Sequence, residues 1–196
     1  LARRQLSLVA ALRTALRREQ FFLEYQPLIE LRSGACVGVE ALLRWRHPKR
    51  GVLAPPNFLK VAEDSGLVQQ IDWRMFRLAL ETGRVLATEG RYLTLNVSPR
   101  LFQHNDFDRR LLDMVEEIGF DPRALRLEVT EGTLLGDPET VVATLHRLRD
   151  AGIEAALDDF GTGYSSLGHV HRFPLKMIKI DQSFVAPFAN GEAPRS

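Results

Sequence analysis

From Tyr92 onward, apolar strand-like runs alternate regularly with helical segments. The strand-like runs cover 92–97, 125–130, 153–158 and 175–181, and helical segments lie between them near 107–118, 138–151 and 165–171. Such alternation requires a mainly parallel sheet, because each helix returns the chain to the start of the next strand. We therefore predict an α/β fold.

The first half of the chain adds two more strands, at 21–29 and 35–43, separated only by the turn around Arg32, Ser33 and Gly34. Two strands joined by so short a turn must pair antiparallel, since a parallel crossover needs about a dozen residues or more. After breaks at Gly51 and Pro55, helical segments are predicted over 58–63 and 68–87. The count is six strands, the first of them antiparallel.

Composition excludes several classes of protein. The chain is 45% hydrophobic and 26% charged, so disorder throughout is excluded, and 26 Lys and Arg against 25 Asp and Glu exclude binding to nucleic acid driven by a large positive charge. No window approaches the roughly 20 apolar residues of a membrane span, and no secretion signal begins the chain. A single cysteine, Cys36, forms no internal disulfide. We expect a soluble, cytoplasmic domain.

Residues 1–19 form a predicted amphipathic helix in which Leu8, Val9, Leu12 and Leu16 alternate with arginines. Two interpretations are open: a linker helix that continues from an upstream domain, or the first helix of the core. We assign 1–19 to an N-terminal linker helix and 20–196 to the main domain. The chain begins with Leu1 and ends in a polar tail, so we expect both ends to be cut.

Polar side chains interrupt the apolar strands, mostly near their carboxyl ends. Successive members of this set are separated by about one strand–helix unit, with a longer insertion in the first interval; they are Glu40, Asn96, Glu128, Asp158 and Lys179. Because the carboxyl ends of parallel strands lie at one face of an α/β fold, where sites are built, these side chains are expected to meet there.

Converging carboxylates repel one another, and burial disfavours their charged forms, so a cation is expected among them. Carboxylate and amide oxygens suit Mg²⁺ or Mn²⁺, and no Cys and His set has the spacing of a zinc site. Asp158 and Asp159 directly precede the loop that begins Gly161-Thr162-Gly163. At such a junction both carboxylates can face a pair of metal ions about 3.5–4 Å apart, the arrangement that hydrolyses phosphoesters.

Two cations have alternative interpretations. Lys179 stands among apolar residues, where it either extends to solvent from a strand end or points inward to hold or activate water. Arg44, placed just beyond the strand that carries Glu40, either meets a phosphate or forms a surface salt bridge.

The motifs occur in an order that resembles a known family. They are Glu40-Ala41-Leu42 with Arg44 and Trp45, Asn96-Val97-Ser98, Glu128-Val129-Thr130-Glu131, the run from Asp158 to Leu167, and Lys179-Ile180-Asp181. Together they resemble the EAL-domain cyclic di-GMP phosphodiesterases over nearly the whole chain from about Phe21. The resemblance implies a modified TIM (β/α)8 barrel with an antiparallel first strand, which hydrolyses cyclic di-GMP to linear pGpG with Mg²⁺ or Mn²⁺.

The resemblance also implies roles for individual residues. Glu40, Asn96, Glu128 and Asp158 would be metal ligands and Asp159 would serve the second metal. Among the remaining catalytic residues, Lys179 would position or activate the attacking water, and Glu131 would hold the loop from Asp158 to Ser166. Arg44, Gln26 and Asp181 would contact substrate, Arg44 at a phosphate and Gln26 in the guanine pocket.

The sequence departs from the family pattern at its carboxyl end. Two further strand–helix units, another metal-site glutamate and a substrate-contacting glutamine are expected and do not occur, so we expect residues 20–196 to be an incomplete domain. The resemblance implies an upstream GGDEF or sensory domain and a homodimer, with no contact to DNA or membrane. The alternative function is a catalytically inactive receptor that binds cyclic di-GMP.

Overall fold

The computed structural model describes residues 2–88, 90–161 and 171–189, and side chains from residue 5 to residue 186 within those ranges. The strands are β1 (Phe21–Ile29), β2 (Cys36–His47), β3 (Gly51–Leu53), β4 (Tyr92–Val97), β5 (Leu125–Thr130), β6 (Glu154–Phe160) and β7 (Met177–Ile180). The helices are α1 (Ala2–Arg17), α2 (Leu59–Asp64), α3 (Val68–Leu86), α4 (Pro99–Phe102), α5 (Phe107–Ile118), α6 (Glu131–Leu134), α7 (Pro138–Asp150) and α8 (Gln182–Ala189).

One mixed sheet contains all the described strands, in the order β1-β2-β4-β5-β6-β7, with β3 paired to β2 outside this path. β1 and β2 pair antiparallel, whereas each pair from β2 to β7 along the path is parallel. The predicted α/β class and the antiparallel first strand are therefore confirmed. This topology places the carboxyl ends of the parallel strands along one edge of the sheet.

Register explains why the polar strand residues fall side by side. Asn96 lies opposite Glu128 in the β4–β5 ladder, and Gln26 lies opposite Glu40 in the β1–β2 ladder. The β6–β7 ladder shifts register between Leu157 and Phe160, next to Asp158. Residues directly opposite each other in a ladder point to the same face of a sheet, so this register brings polar side chains of neighbouring strands together.

Two features of the sheet differ from the sequence prediction. β2 continues through His47 rather than ending at Leu43, because Trp45 is fully buried and extends the apolar face of the strand. β3 was not predicted; its three residues pair with the last three residues of β2. A strand of three residues beside a glycine and two prolines is too short for its alternation to be recognised. Seven strands are therefore described, not six.

Five of the described helices agree closely with the prediction, whereas α4, α6 and α8 were not predicted. α2, α3, α5 and α7 lie within two residues of the predicted segments, and Asp137 caps α7 by accepting a hydrogen bond from the backbone N–H of Thr140 at 3.1 Å. Gly119 ends α5 in the left-handed region at φ 69°. The helix predicted over 165–171 lies outside the described residues except for His171, which is in a turn.

Two apolar clusters stabilise this arrangement. The larger lies between the sheet and helices α3, α5 and α7, and its fully buried members include Leu80, Leu93 and Leu127. The smaller joins α1 to α2, α3 and β2, with Leu12 of α1 and Trp45 of β2 fully buried. The first helix therefore packs on the domain, although Leu6 near its start is 71% exposed. None of the described helices is both long and apolar enough to cross a bilayer.

Candidate functional site

The centre of the site is the ammonium group of Lys179 on β7. Its Nζ atom lies 2.5 Å from Oε2 of Glu128, 3.1 Å from Oε2 of Glu40 and 3.4 Å from Oδ1 of Asp158. These carboxylates come from β5, β2 and β6, so four strands contribute to one cluster. The prediction that far-apart polar residues meet at one face is borne out for these four residues. The side chain of Lys179 points inward toward the carboxylates, and its role at an attacking water stays a prediction.

Asn96 completes the cluster from β4. Its Nδ2 atom donates a hydrogen bond of 2.9 Å to Oε1 of Glu40, the carboxylate whose other oxygen accepts from Lys179. Glu40 is thus held from both sides. Among the described residues the amide oxygen of Asn96 makes no hydrogen bond, and such an oxygen can accept from a donor or bind a cation.

Burial and charge set the protonation of the cluster. Glu128 is only 3% exposed, and its burial raises the pKa to about 8, with the charge of Glu40 adding to the effect of burial and the hydrogen bond from Lys179 opposing it. Burial by itself would lower the pKa of Lys179, but its hydrogen bond to Glu128 and the charges of its carboxylate neighbours outweigh burial and raise that pKa. Lys179 therefore stays positively charged at neutral pH.

The loop after β6 is held from two sides. Asp159 adopts a left-handed backbone at φ 54°, unusual for a residue other than glycine, and Gly161 follows at φ 101°. Oε1 of Glu131 accepts a hydrogen bond of 3.1 Å from the backbone N–H of Gly161, and the ring of Phe184 on α8 packs against the same glycine. Glu131 is 7% exposed. It therefore contacts the start of the loop it was predicted to hold, and residues 162–166 of that loop lie outside the described residues.

Asp159 and Asp181 lie near the cluster but differ in environment. Burial, together with the charges of Asp158 and Asp181, raises the pKa of Asp159. Hydrogen bonds from Ser183 lower the pKa of Asp181, whose Oδ1 accepts from the backbone N–H of that serine at 2.8 Å. In this structure Asp181 therefore caps the first turn of α8.

Arg44 lies within β2, not just beyond it as the sequence suggested. Its Nε atom donates a hydrogen bond of 2.7 Å to Oε2 of Glu24 on β1, and its Nη1 atom donates one of 2.8 Å to the carbonyl oxygen of Leu43. The salt-bridge interpretation of Arg44 is thus seen directly. Gln26 is exposed on β1 beside Glu40.

An apolar cavity of about 480 Å³ opens beside the cluster. Its polar lining includes Glu40, Asn96, Asp158 and Asp159, and its apolar lining includes Leu42, Leu59, Met75 and Phe76. This volume is in the range of small-molecule pockets, so a ligand of nucleotide size can lie against the polar cluster.

The cavity contains a buried acid that the sequence prediction missed. Oδ2 of Asp72 accepts a hydrogen bond of 2.5 Å from the Ser98 hydroxyl, and burial raises the pKa of Asp72 to about 7. A signal was present: Asp72 lies on the stripe of α3 formed by the buried residues Met75, Phe76 and Ala79. An acid at that spacing faces the core, not solvent.

Comparison with known proteins assigns the family. The EAL domain model matches residues 9–196. The chain belongs to the EAL family. This EAL chain is 39% identical over 188 residues to cyclic di-GMP phosphodiesterase NbdA of Pseudomonas aeruginosa, a match that covers 94% of the chain and 24% of NbdA. It is 38% identical over 168 residues to cyclic di-GMP phosphodiesterase RocR of the same species, with 85% of the chain and 43% of RocR covered.

A solved EAL structure is also similar. The phosphodiesterase of MucR, in complex with c-di-GMP, superposes with a TM-score of 0.88 at 36% identity, over 93% of this chain and 75% of the other. MucR of Pseudomonas aeruginosa is described as a bifunctional diguanylate cyclase and cyclic di-GMP phosphodiesterase. The chain spans less than half the length of the curated relatives it matches.

EAL phosphodiesterases in general depend on a divalent metal, and the donors of the cluster can be compared with that requirement. Three carboxylates lie around a single ammonium, and the amide of Asn96 binds one of them, Glu40. This leaves one negative charge uncompensated while Glu128 is protonated and two when all three acids are ionised, and hard oxygen donors suit Mg²⁺ or Mn²⁺. The chemistry of the donors therefore fits. The spacing of the carboxylates, in contrast, is that of groups bound to Lys179 and not that of metal ligands. Among the residues described, no three of the His, Cys, Asp and Glu side chains are arranged to hold a metal ion.

Proposed function

We propose that this EAL chain hydrolyses cyclic di-GMP to linear pGpG, with water breaking one phosphodiester P–O bond. The observation that supports this most is the convergence of Lys179 with Glu40, Glu128 and Asp158 from four strands beside a cavity of about 480 Å³. The names of NbdA and RocR and the c-di-GMP complex of MucR supply the substrate.

The proposed metal site is built from the strand-end donors. Glu40, Asn96, Glu128 and Asp158 would hold one Mg²⁺ or Mn²⁺, and Asp159 would contribute to a second. When bound, such ions polarise a phosphoryl oxygen and make water a stronger nucleophile at neutral pH. The uncompensated negative charge of the cluster is what would attract them.

Lys179 would act through its charge and its hydrogen-bond donors. Because its pKa is raised, the side chain does not accept a proton at neutral pH, so it is no general base. The N–H group that its hydrogen bonds to Glu40 and Glu128 leave unused can orient an attacking water, and its positive charge stabilises the negative charge that develops on the phosphate. We therefore assign it to positioning water and stabilising the transition state.

The cavity would hold a guanine base. Its walls are apolar, as a purine ring requires, and Asp72 offers a carboxylate oxygen at one side, which can accept from the N–H groups of guanine. Gln26 would line the same region from β1, and Arg44 would contact a phosphate through the donors that Glu24 and Leu43 leave unused. Asp181 would contact substrate with the oxygen that does not cap α8.

Glu131 would hold the loop in its competent conformation through Gly161, as the 3.1 Å hydrogen bond suggests. At the level of the fold, the described sheet would form the wall of a modified (β/α)8 barrel. Residues 1–19 would link the domain to an upstream GGDEF or sensory domain, and the protein would form homodimers in the cytoplasm. These assignments follow the family resemblance.

A product assay tests the activity. The full-length protein that contains this chain is incubated with cyclic di-GMP and Mn²⁺ or Mg²⁺, and products are separated by chromatography. We expect linear pGpG, its loss on chelation, and its loss in Glu40→Gln. Glu30→Gln removes a charge from the turn after β1 and should keep the activity. Absence of product in every condition would reject the proposal.

A second candidate function is a receptor that binds cyclic di-GMP without cleaving it. The observation that favours it is that the carboxylates are bound to Lys179 and, in the described part of the chain, are not spaced as a metal site. Isothermal calorimetry that shows tight binding, beside a product assay that shows none, would select the receptor.

A further inference from the structure

In the ion pair between Arg44 and Glu24, Arg44 is the proposed phosphate contact, whereas Glu24 has no role in the activity proposed above. The two residues lie on neighbouring strands but not directly opposite: Glu24 faces Leu42 in the ladder, and Arg44 faces Phe22. They are diagonal neighbours on one face of β1 and β2, the face that also carries Glu40 and Gln26. The pair therefore stands on the same surface as the polar cluster.

The guanidinium of Arg44 is fixed in direction by two bonds. Nε donates to Glu24 at 2.7 Å, and Nη1 donates to the carbonyl of Leu43 at 2.8 Å. Among the described residues, Nη2 makes no hydrogen bond. The arginine side chain is 20% exposed while Glu24 is 51% exposed, so the guanidinium lies against the sheet with one edge toward solvent.

We infer that Glu24 is a positioning residue, which orients Arg44 so that its remaining N–H groups donate to a phosphate of the substrate. This inference rests on the proposed function, because it takes the phosphate of cyclic di-GMP as the ligand of Arg44. An arginine that no group orients loses side-chain freedom when it binds, and a bond already in place removes that cost. Glu24 also neutralises part of the positive charge of Arg44. The arginine therefore attracts anions in general less strongly and binds mainly a phosphate that is placed to accept from its fixed N–H groups.

Glu24 can act on substrate affinity in two opposite ways: orienting Arg44 strengthens binding of the phosphate, whereas competing with the phosphate for Arg44 weakens it. This difference makes the inference testable. If orientation dominates, Glu24→Ala weakens binding, because Arg44 loses its partner. If Glu24 only competes with the phosphate for Arg44, Glu24→Ala strengthens binding. Glu24→Gln separates them, because its amide oxygen still accepts from Nε of Arg44 while its negative charge is gone.

The experiment measures KM and kcat for cyclic di-GMP, and Kd by calorimetry, at about 0.15 M salt. For Glu24→Ala we expect KM and Kd to rise about fivefold, the effect of one hydrogen bond, with kcat nearly unchanged. Glu24→Gln should stay within about twofold of the wild type. In an Arg44→Ala background, Glu24→Ala should have no further effect. Glu30→Ala, which removes a carboxylate that does not contact Arg44, is the control.

Each possible result either supports or overturns the positioning role of Glu24. A lower KM in Glu24→Ala, equal effects of the Ala and Gln variants, or additive effects with Arg44→Ala would overturn the positioning role. If the wild type binds cyclic di-GMP but does not cleave it, the proposed hydrolysis fails while the Kd values still decide the role of Glu24. If the wild type neither binds nor cleaves, both are wrong.

Discussion

Lys179 on β7 reaches across β6 to Glu128 on β5, where its Nζ atom lies 2.5 Å from the carboxylate oxygen Oε2. The same ammonium contacts Glu40 on β2 and Asp158 on β6. One side chain thus connects both halves of the parallel sheet at the carboxyl ends of its strands. The charge balance of the site depends on that residue.

Replacing Lys179 with Met should lower kcat for cyclic di-GMP by about 100-fold or more, because the site loses a charged donor directed at the reacting groups. Steady-state hydrolysis assays measure the effect. Lys176→Met is the matched control: Lys176 pairs with Glu154 just before β7, its side chain is 60% exposed, and the variant should retain full kcat. Equal activity of Lys179→Met and wild type would remove Lys179 from the mechanism.

Replacing Glu131 with Ala should lower activity or Mn²⁺ affinity about 10- to 100-fold, the usual cost of losing a group that supports the metal ligands. The variant leaves the N–H of Gly161 without its acceptor. Glu131→Gln keeps an acceptor oxygen and should lose less. Hydrolysis rates as a function of Mn²⁺ concentration give both quantities.

The control for this prediction is Glu139→Ala, which removes an exposed carboxylate from the first turn of α7. It should change neither rate nor Mn²⁺ dependence. If Glu131→Ala has the same kinetics as this control, the hydrogen bond to Gly161 does not support the loop.

Gly161→Ala should damage the loop for two independent reasons. Its φ of 101° strains any residue with a Cβ, and that Cβ would lie 2.6 Å from ring atoms of Phe184. We expect a loss of at least about 1 kcal/mol of unfolding free energy and a fall in kcat. Adding Phe184→Ala should recover part of the stability, because it removes the clash but not the strain.

Gly34→Ala separates the two causes. Gly34 has φ 70°, and a Cβ added there would meet no atom within 4 Å, so only backbone strain applies at this position. Urea unfolding compares the three variants. A Gly161→Ala variant no less stable than Gly34→Ala would show that Phe184 does not pack against the loop in solution.

Asp72 should make stability depend on pH. Burial raises its pKa in the folded state to about 7 from an ordinary value of 3.8, so between these values the folded chain binds a proton that the unfolded chain has lost. The stability from this group is fully present below about pH 4 and is lost as pH rises to about 7. Asp72→Asn, which keeps an oxygen to accept from Ser98, should remove this loss.

We therefore expect Asp72→Asn to be more stable than wild type at pH 8, by up to the order of 4 kcal/mol, with the gain shrinking toward pH 4. Urea unfolding in the presence of a chelator measures it without a contribution from metal binding. Asp113→Asn, on the exposed side of α5, controls for the loss of one negative charge. A gain that is the same at both pH values would contradict the proposed burial of the Asp72 charge.

Much of the fold follows from local pattern. The bounds of β4, β5 and α5 agree with the prediction because each combines a clear apolar period with a turn or cap on either side, such as Gly119 after α5. β3 was missed because three residues show no period. The extension of β2 to His47 was missed because it depends on the packing of Trp45, which is a tertiary contact.

The sequence identified which residues form the candidate cluster, but it did not predict the contacts between their side chains. Glu40, Glu128, Asp158 and Lys179 were identified because polar residues at the ends of apolar strands are costly unless they meet. That Lys179 binds all three carboxylates, and that Glu24 pairs with Arg44, depends on side-chain conformation and strand register, which composition does not encode. Asp72 was missed because α3 was predicted only as a helix and its faces were not distinguished.

Anomalous diffraction from crystals grown with Mn²⁺ and a non-hydrolysable analogue of cyclic di-GMP shows whether metal ions bind among the carboxylates that Lys179 contacts. We expect manganese peaks about 2.0–2.2 Å from oxygens of Glu40, Glu128 and Asp158, with the analogue's phosphate beside them and Lys179 displaced from at least one carboxylate. Manganese located elsewhere, or a bound analogue with Lys179 still holding all three carboxylates and no manganese among them, would contradict it.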